Sequence, residues 1–285
     1  MREPKYYPTK IEGIFDTHAH LYDERYGEEG TFSSNVLERC AMAGVTRVLV
    51  PADNMESSKA AMAYVESNQG LSGVDLYCSI GVHPHEASSY CPEVRQWLID
   101  TLQPEVRSTY NIMALGEIGL DYHYDLSPRD VQREVFKDQL NIAYELDIPI
   151  ILHEREAVGD SMDILRSFKK EGRLRSNPGV CHCCSASPEI AAELVSMGFY
   201  IGFDGPITFK NNKSAPEVLN RVPLDKIVIE TDSPYLTPEP NRGLTNEPCY
   251  VPYVAAKIAE IKGESIEDIV RITAENGCRL YGINE

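Results

Sequence analysis

The sequence is poor in positive charge for its length. Its 285 residues contain 27 lysines and arginines against 44 aspartates and glutamates, which gives a formal charge of −17 at pH 7. Because nonspecific nucleic-acid binding relies on Lys and Arg displacing counterions, this balance argues against broad binding to duplex DNA. A phosphate substrate remains possible if the protein binds metal ions. Such ions are often the largest local charges in a site and would attract phosphate there.

Long apolar runs and two catalytic motifs are also missing. No segment reaches the roughly 18 apolar residues of a membrane-spanning helix, and the first residues lack the apolar run of a signal peptide. We therefore expect a cytoplasmic protein that does not bind membranes, with its eight cysteines as free thiols. The absence of a GxSxG elbow and of a Walker loop excludes serine acyl-enzyme and P-loop chemistry.

Short apolar runs alternate with helical patterns along the whole chain, which is typical of repeated βα units around a parallel sheet. Eight such runs are present: GIFDTH, TRVLVPA, LYCSIGV, IMALGEIG, IPIILHE, GVCHCC, FYIGFDG and KIVIETD. Steady alternation favours a closed barrel over an open doubly wound sheet. We expect residues 1–285 to form one α/β domain, a TIM-type (β/α)8 barrel with an extra C-terminal helix over residues 265–280. Ser127 and Pro128 predict the start of a helix at Arg129.

The histidines lie within or shortly after the predicted strands, where the active site of such a barrel forms. His18 and His20 are two residues apart, so both imidazoles can converge on one metal ion. Glu117 places a carboxylate inside an apolar strand, where it can bridge two metals, although it could also be a solvated strand end. His153, His182 and Asp232 follow three other strands. Each alone could be a core or capping residue, but the six together predict a metal centre.

Imidazole nitrogen and carboxylate oxygen suit Zn²⁺ best, with Mn²⁺ or Mg²⁺ as alternatives. Two such ions can activate a water molecule and stabilise the displaced oxygen, so hydrolysis is the expected reaction. Cys181, Cys183 and Cys184 lack the second ligand pair of a structural zinc site.

Seven segments together resemble the TatD family of metal-dependent hydrolases, within the amidohydrolase superfamily: DTHAHL, GVHPHEA, GEIGLDYH, ILHEREA, ITFKN, IETDSPYLTP and NEPCYV. The resemblance covers nearly the whole chain. It implies two divalent metal ions, one held by His18, His20 and Asp232 and the other by His153 and His182, with Glu117 between them. Asp232 would also orient or deprotonate the attacking water.

The resemblance further implies a 3′-5′ exodeoxyribonuclease that acts on single-stranded DNA ends or on a small phosphodiester, and we expect a monomer. His83 and Arg155 match motif positions that could contact phosphate, and His83 could help protonate the leaving group. The alternatives are a loop-packing histidine and an arginine in a salt bridge. Asp121, Tyr122 and His123 are expected to line the pocket, although the tyrosine could equally be a packing residue.

Several positions depart from the family pattern. The chain has RGLTNEP where the family often has RGKRNEP, so Leu244 and Thr245 replace two positive charges. It also has CCSA after His182 in place of CFSG, and Asp204 in place of a serine. These changes disfavour a long polyanionic substrate. They leave a second hypothesis, a deacylase-like hydrolase of an ester or amide with the same binuclear site. A third reading is a metal-binding scaffold without turnover, against which the complete ligand set argues.

Overall fold

The computed structural model describes residues 8–26 and 31–283. They contain eight strands: β1 (Ile14–Asp16), β2 (Val45–Val50), β3 (Asp75–Ile80), β4 (Ile112–Asp121), β5 (Ile150–Arg155), β6 (Gly179–Cys181), β7 (Tyr200–Phe203) and β8 (Ile227–Ile229). Each strand pairs in parallel with its neighbours in the chain, in the order β1 to β8. All eight predicted strands are therefore present.

Hydrogen bonds between the ends of β1 and β8 close the sheet. The Thr17 N–H donates to the Ile229 carbonyl at 3.1 Å, the Asp232 N–H to His18 at 2.9 Å, and the His20 N–H to Ser233 at 2.8 Å. The predicted TIM-type barrel is confirmed, and the doubly wound alternative is wrong because its strand order would reverse.

The α-helices found in the described residues surround the barrel and complete its ends. They are α1 (Thr31–Ala43), α2 (Met55–Asn68), α3 (Pro92–Thr101), α4 (Pro104–Thr109), α5 (Arg129–Glu145), α6 (Val158–Lys170), α7 (Pro188–Met197), α8 (Ser214–Arg221), α9 (Val251–Lys262) and α10 (Ile266–Tyr281). None of the helices in residues 8–26 and 31–283 is long and apolar enough to cross a membrane.

Helix α5 begins at Arg129, as predicted, but Ser127 does not cap it. The Ser127 hydroxyl instead donates to the His85 carbonyl at 2.8 Å and accepts the Ser88 N–H at 3.1 Å. It therefore ties the start of α5 to the short 3₁₀ helix Pro84–Ser89 beside the barrel mouth.

Helix α10 closes the bottom of the barrel. Phe15, Ile151 and Val180 of three strands form an apolar cluster with Cys278 and Tyr281 of α10. Successive side chains of a strand point to opposite faces, so residues two apart point to the same face. Side chains two positions after Ile151 and Val180 therefore also point into the barrel, one layer above the apolar cluster. This rule places His153 and His182 inside the upper end of the barrel.

Gly277 allows α10 to pack against the barrel strands. A Cβ at this position would lie 2.6 Å from Cδ1 of the buried Phe15 ring. We predict that Gly277→Ala lowers the free energy of unfolding by about 1–3 kcal/mol, because overpacking forces the ring to move. Urea titration followed by circular dichroism measures the change.

The matched control is Gly159→Ala in α6, where a Cβ would meet no atom within 4 Å. Alanine is the better helix former, so this variant should be unchanged or more stable by roughly 0.4–1 kcal/mol. Equal stability of the two variants would contradict the packing of α10 described here.

Candidate metal centre

Four imidazoles surround the buried carboxylate of Glu117 at the upper end of the barrel. Glu117 Oε2 lies 3.3 Å from His18 Nε2 and 3.5 Å from His20 Nε2. Glu117 Oε1 lies 2.9 Å from His182 Nε2 and 3.3 Å from His153 Nδ1. Each oxygen of one carboxylate therefore has a different pair of histidines within 3.5 Å, and His83 lies farther away, with Nε2 3.9 Å from Oε1.

Asp232 lies beside the first pair, His18 and His20. Its Oδ1 lies 3.6 Å from Nε2 of both His18 and His20. The residue adopts φ +52°, a left-handed conformation that is uncommon for residues other than glycine. The loop behind it is held by the buried Asn246, whose Nδ2 donates to the Thr231 carbonyl at 2.8 Å.

The donor set fits divalent cations on both sides of Glu117. The side chain of His18 is fully buried, yet neither of its ring nitrogens forms a hydrogen bond with the residues that the structure describes. A buried polar atom of this kind requires a partner, and a metal ion is a suitable one. Imidazole nitrogen with carboxylate oxygen is the ligand combination of zinc and similar ions.

The pKa values reflect the mutual dependence of these groups. Burial opposes ionisation of Glu117, but the charges of His182 and His18 outweigh it and hold the Glu117 pKa well below its usual range. Burial, reinforced by His182, lowers the pKa of His18 to about 4. Burial also acts against a charged His182, but Glu117 overcomes it and raises that pKa to about 10. The carboxylate therefore attracts positive charge, which a metal ion can supply in place of protons.

Asp121 orients one histidine of the second pair. The His153 Nε2 lies 3.1 Å from Asp121 Oδ2, while its Nδ1 faces Glu117. An N–H on Nε2 that donates to Asp121 leaves Nδ1 as the free lone pair, which is the form that binds metal. His85 Nε2 contacts the same Asp121 oxygen at 2.8 Å.

The other residues predicted for the site lie at different distances from Glu117. His83 is buried at the centre, with Nε2 3.9 Å from Glu117 Oε1. Arg155 is exposed at the rim, its guanidinium 4.9 Å from the centre of the Tyr124 ring. Tyr122 turns away and donates to Asp160 at 2.6 Å, and the exposed His123 pairs with Glu156 at 2.7 Å. These contacts favour the packing alternative for Tyr122, while the ring of His123 lies 4.8 Å from that of Tyr124.

Sequence reasoning missed Asp53 and Glu230. Asp53 follows β2, and one of its oxygens lies within 4.8 Å of ligand atoms from His20 and Glu117. Glu230 is fully buried after β8, with Oε1 3.8 Å from His182 Nδ1. The signal that identified the other ligands, a charged residue directly after an apolar strand, is present at both positions.

Comparison with known proteins identifies the family of the chain. The family described as "TatD related DNase" matches residues 15–282. The chain belongs to the TatD family. The metal-dependent hydrolase YabD of Bacillus subtilis is 42% identical over 271 residues, which cover 95% of this chain and all of YabD. The 3′-5′ ssDNA/RNA exonuclease TatD of Pantoea ananatis is 30% identical over 278 residues, covering 95% of this chain and all of that protein.

A solved TatD structure has the same fold. The TatD homologue YJJV of Escherichia coli K12 superimposes with a TM-score of 0.82 at 28% identity, over 95% of this chain and 99% of YJJV. The expected family is thus confirmed, and the protein is a metal-dependent hydrolase of the TatD type.

The departures from the TatD pattern lie on the β7–β8 side of the barrel mouth. Asp204 is buried beside Asp232 and Cys183. The arginine kept from the family's basic loop, Arg242, lies 4.1 Å above the ring of Phe209. The effect of these changes on nuclease activity stays a prediction.

The contact between Asp121 and His153 leads to a test of metal binding. We predict that Asp121→Asn weakens zinc binding about 10–100-fold, because the amide can no longer accept the His153 proton as a carboxylate does. Competition with a chromophoric chelator measures the affinity. Asp125→Asn is the control, since Asp125 is exposed and pairs with Arg129 on the surface. The orienting role is wrong if both variants bind zinc as tightly as the wild type.

Proposed function

We propose that this TatD protein is a metal-dependent phosphodiesterase that removes nucleotides from the 3′ end of single-stranded DNA. Two divalent cations, Zn²⁺ in preference to Mn²⁺ or Mg²⁺, would lie on either side of Glu117. The proposed ligands are His18, His20, Glu117, His153, His182 and Asp232. The proposal rests on one observation. One oxygen of Glu117 lies next to His18 and His20, and the other lies next to His153 and His182.

The cations, when bound, would lower the pKa of a water molecule and stabilise charge on the phosphate oxygens. Asp232 is suited to accept the proton of that water. Burial alone would raise its pKa, but the neighbouring imidazoles of His20 and His18 lower it, so the carboxylate is ionised. The proton would thus be held at an Asp232 oxygen beside the reacting water.

His83 is suited to donate a hydrogen bond on the other side. Its Nδ1 accepts the His85 N–H at 3.1 Å, so the ring proton resides on Nε2, which lies on the Glu117 side. Burial, together with the charge of His153, holds the pKa of His83 well below its usual range. A neutral Nε2–H in this position can hydrogen-bond a phosphate oxygen or the leaving oxygen.

Two exposed tyrosines at the barrel mouth support a single-stranded substrate. The Tyr235 ring lies 6.1 Å from the His20 ring, and Arg25 lies 4.0 Å above it. On the other side, Tyr124 lies 5.3 Å from His85 and is covered by Arg155. Exposed aromatic rings beside arginines stack on unpaired bases, which duplex DNA does not offer.

The overall charge of the chain and the name of one relative also support a single-stranded substrate. A formal charge of −17 disfavours broad contact with a duplex, whereas a strand end needs only the metal centre and its rim. The Pantoea ananatis relative bears the name of a 3′-5′ single-strand exonuclease. Arg155 is the proposed phosphate contact at the rim, since the described residues contain no ion pair that occupies it.

Glu117→Gln tests the metal centre. We predict that the zinc content per chain falls by at least one ion relative to the wild type, because the amide cannot supply two anionic oxygens. Cleavage of a 5′-labelled single-stranded DNA should fall at least about 100-fold. Elemental analysis of dialysed protein and a gel assay measure the two effects.

Glu154→Gln is the matched control, because Glu154 also lies at a strand end but accepts the Ala157 N–H outside the cluster. It should keep the zinc content of the wild type and full activity. A ladder that starts from the 3′ end supports exonuclease action. A full zinc content without cleavage of DNA would contradict the nuclease and redirect the assay to ester and amide substrates.

Tyr124→Ala and Tyr235→Ala test the substrate class. Each should weaken single-stranded DNA binding by about 1–3 kcal/mol per lost stacking contact, seen as a higher KM. Hydrolysis of a small phosphodiester that carries no ring should not change, because such a substrate has no group that stacks on the tyrosines. Tyr144→Ala on α5 removes an equally exposed tyrosine as a control. An unchanged KM for DNA in both rim variants argues against base stacking.

A further inference from the structure

A second group of ligand atoms adjoins the candidate metal centre on the β6–β8 side. Cys183, Asp204 and Asp232 follow three consecutive strands, and one ligand atom from each lies within 4.8 Å of the other two. Only Asp232 also belongs to the set around Glu117. Cys183 and Asp204 have no role in the binuclear centre proposed above.

Asp204 is a buried carboxylate with one unsatisfied oxygen. The residue is 5% exposed, and its Oδ2 accepts no hydrogen bond from the described residues. The nearby Glu230 is fully buried, and its Oε1 accepts the Cys183 N–H. A buried carboxylate of this kind is costly unless a cation or hydrogen-bond donor compensates it.

Positive side chains do not provide that compensation. Within residues 8–26 and 31–283, neither lysine nor arginine forms an ion pair with Asp204, Glu230 or Asp232. The imidazoles nearby, His18 and His182, already face Glu117. A cation among the thiol and the two carboxylates would satisfy Asp204 directly.

We propose that Cys183, Asp204 and Asp232 bind a third divalent cation, which shares Asp232 with the binuclear centre. Sulfur and oxygen ligands together select a borderline ion such as Zn²⁺ or Co²⁺ and disfavour Mg²⁺ and Ca²⁺. The proposal rests on the proposed function only in treating Asp232 as a metal ligand, and it does not depend on DNA cleavage.

The third cation would also change the charge at the mouth. Asp204 stands where the family pattern has a serine, and Leu244 and Thr245 stand where it has two basic residues. A divalent cation there offsets the charges of Asp204 and of the Cys183 thiolate, so the added carboxylate brings no net negative charge to that side of the barrel.

Cobalt titration of metal-free full-length protein tests the proposal. We expect the wild type to bind three Co²⁺ ions per chain and to show a near-ultraviolet thiolate-to-cobalt absorption band. Asp204→Ser and Asp204→Asn should each bind two ions, and Cys183→Ser should lose the band. Cys184→Ser, which alters a neighbouring thiol outside the cluster, should keep three ions and the band.

The proposal is overturned if the wild type and both Asp204 variants bind the same number of ions, or if Cys183→Ser keeps the band. Circular dichroism identifies any variant that does not fold, and the more conservative asparagine then serves as the test. Failure of the binuclear centre has a different signature, because Glu117→Gln would then leave the cobalt count unchanged.

Discussion

The upper end of the barrel depends on one buried carboxylate, that of Glu117. Its side chain is removed from water, so its charge must be balanced by groups inside the protein. The protein places two imidazoles against each of its oxygens, and these imidazoles come from β1, β5 and β6. Such an arrangement is satisfied either by protons on the histidines or by cations between the ligands. The metal-dependent chemistry of the TatD family uses the second solution.

The barrel makes this concentration of polar groups possible by dividing its interior into layers. The lower layer is apolar and is closed by α10, so the stability of the fold does not rest on the site. The upper layer is polar, and its groups are supported from behind by Asp121, Glu230 and Asn246. Active sites of such barrels form at the carboxyl ends of the strands because loops of different sequence can be attached there without disturbing the lower layer.

The sequence was sufficient to predict the strands and the six proposed ligands, because each ligand directly follows an apolar run. The partners of those ligands depend on how neighbouring strands align, which no local pattern encodes. Asp121 contacts both His85 and His153 because β4 extends to the end of β5, where Asp121 pairs with Arg155. For the same reason the sequence left the role of Tyr122 open and did not show what Ser127 contacts. Their partners, Asp160 and His85, are distant in the chain.

The central claim is that Glu117 separates two cation sites. A crystal of the zinc-loaded protein, with anomalous diffraction data at the zinc edge, measures it most directly. The account predicts one peak among His18, His20 and Asp232 and another beside His153 and His182, with a Glu117 oxygen next to each. A missing peak at either position beside Glu117 would contradict it, whereas a further peak among Cys183, Asp204 and Asp232 would belong to the proposed third site.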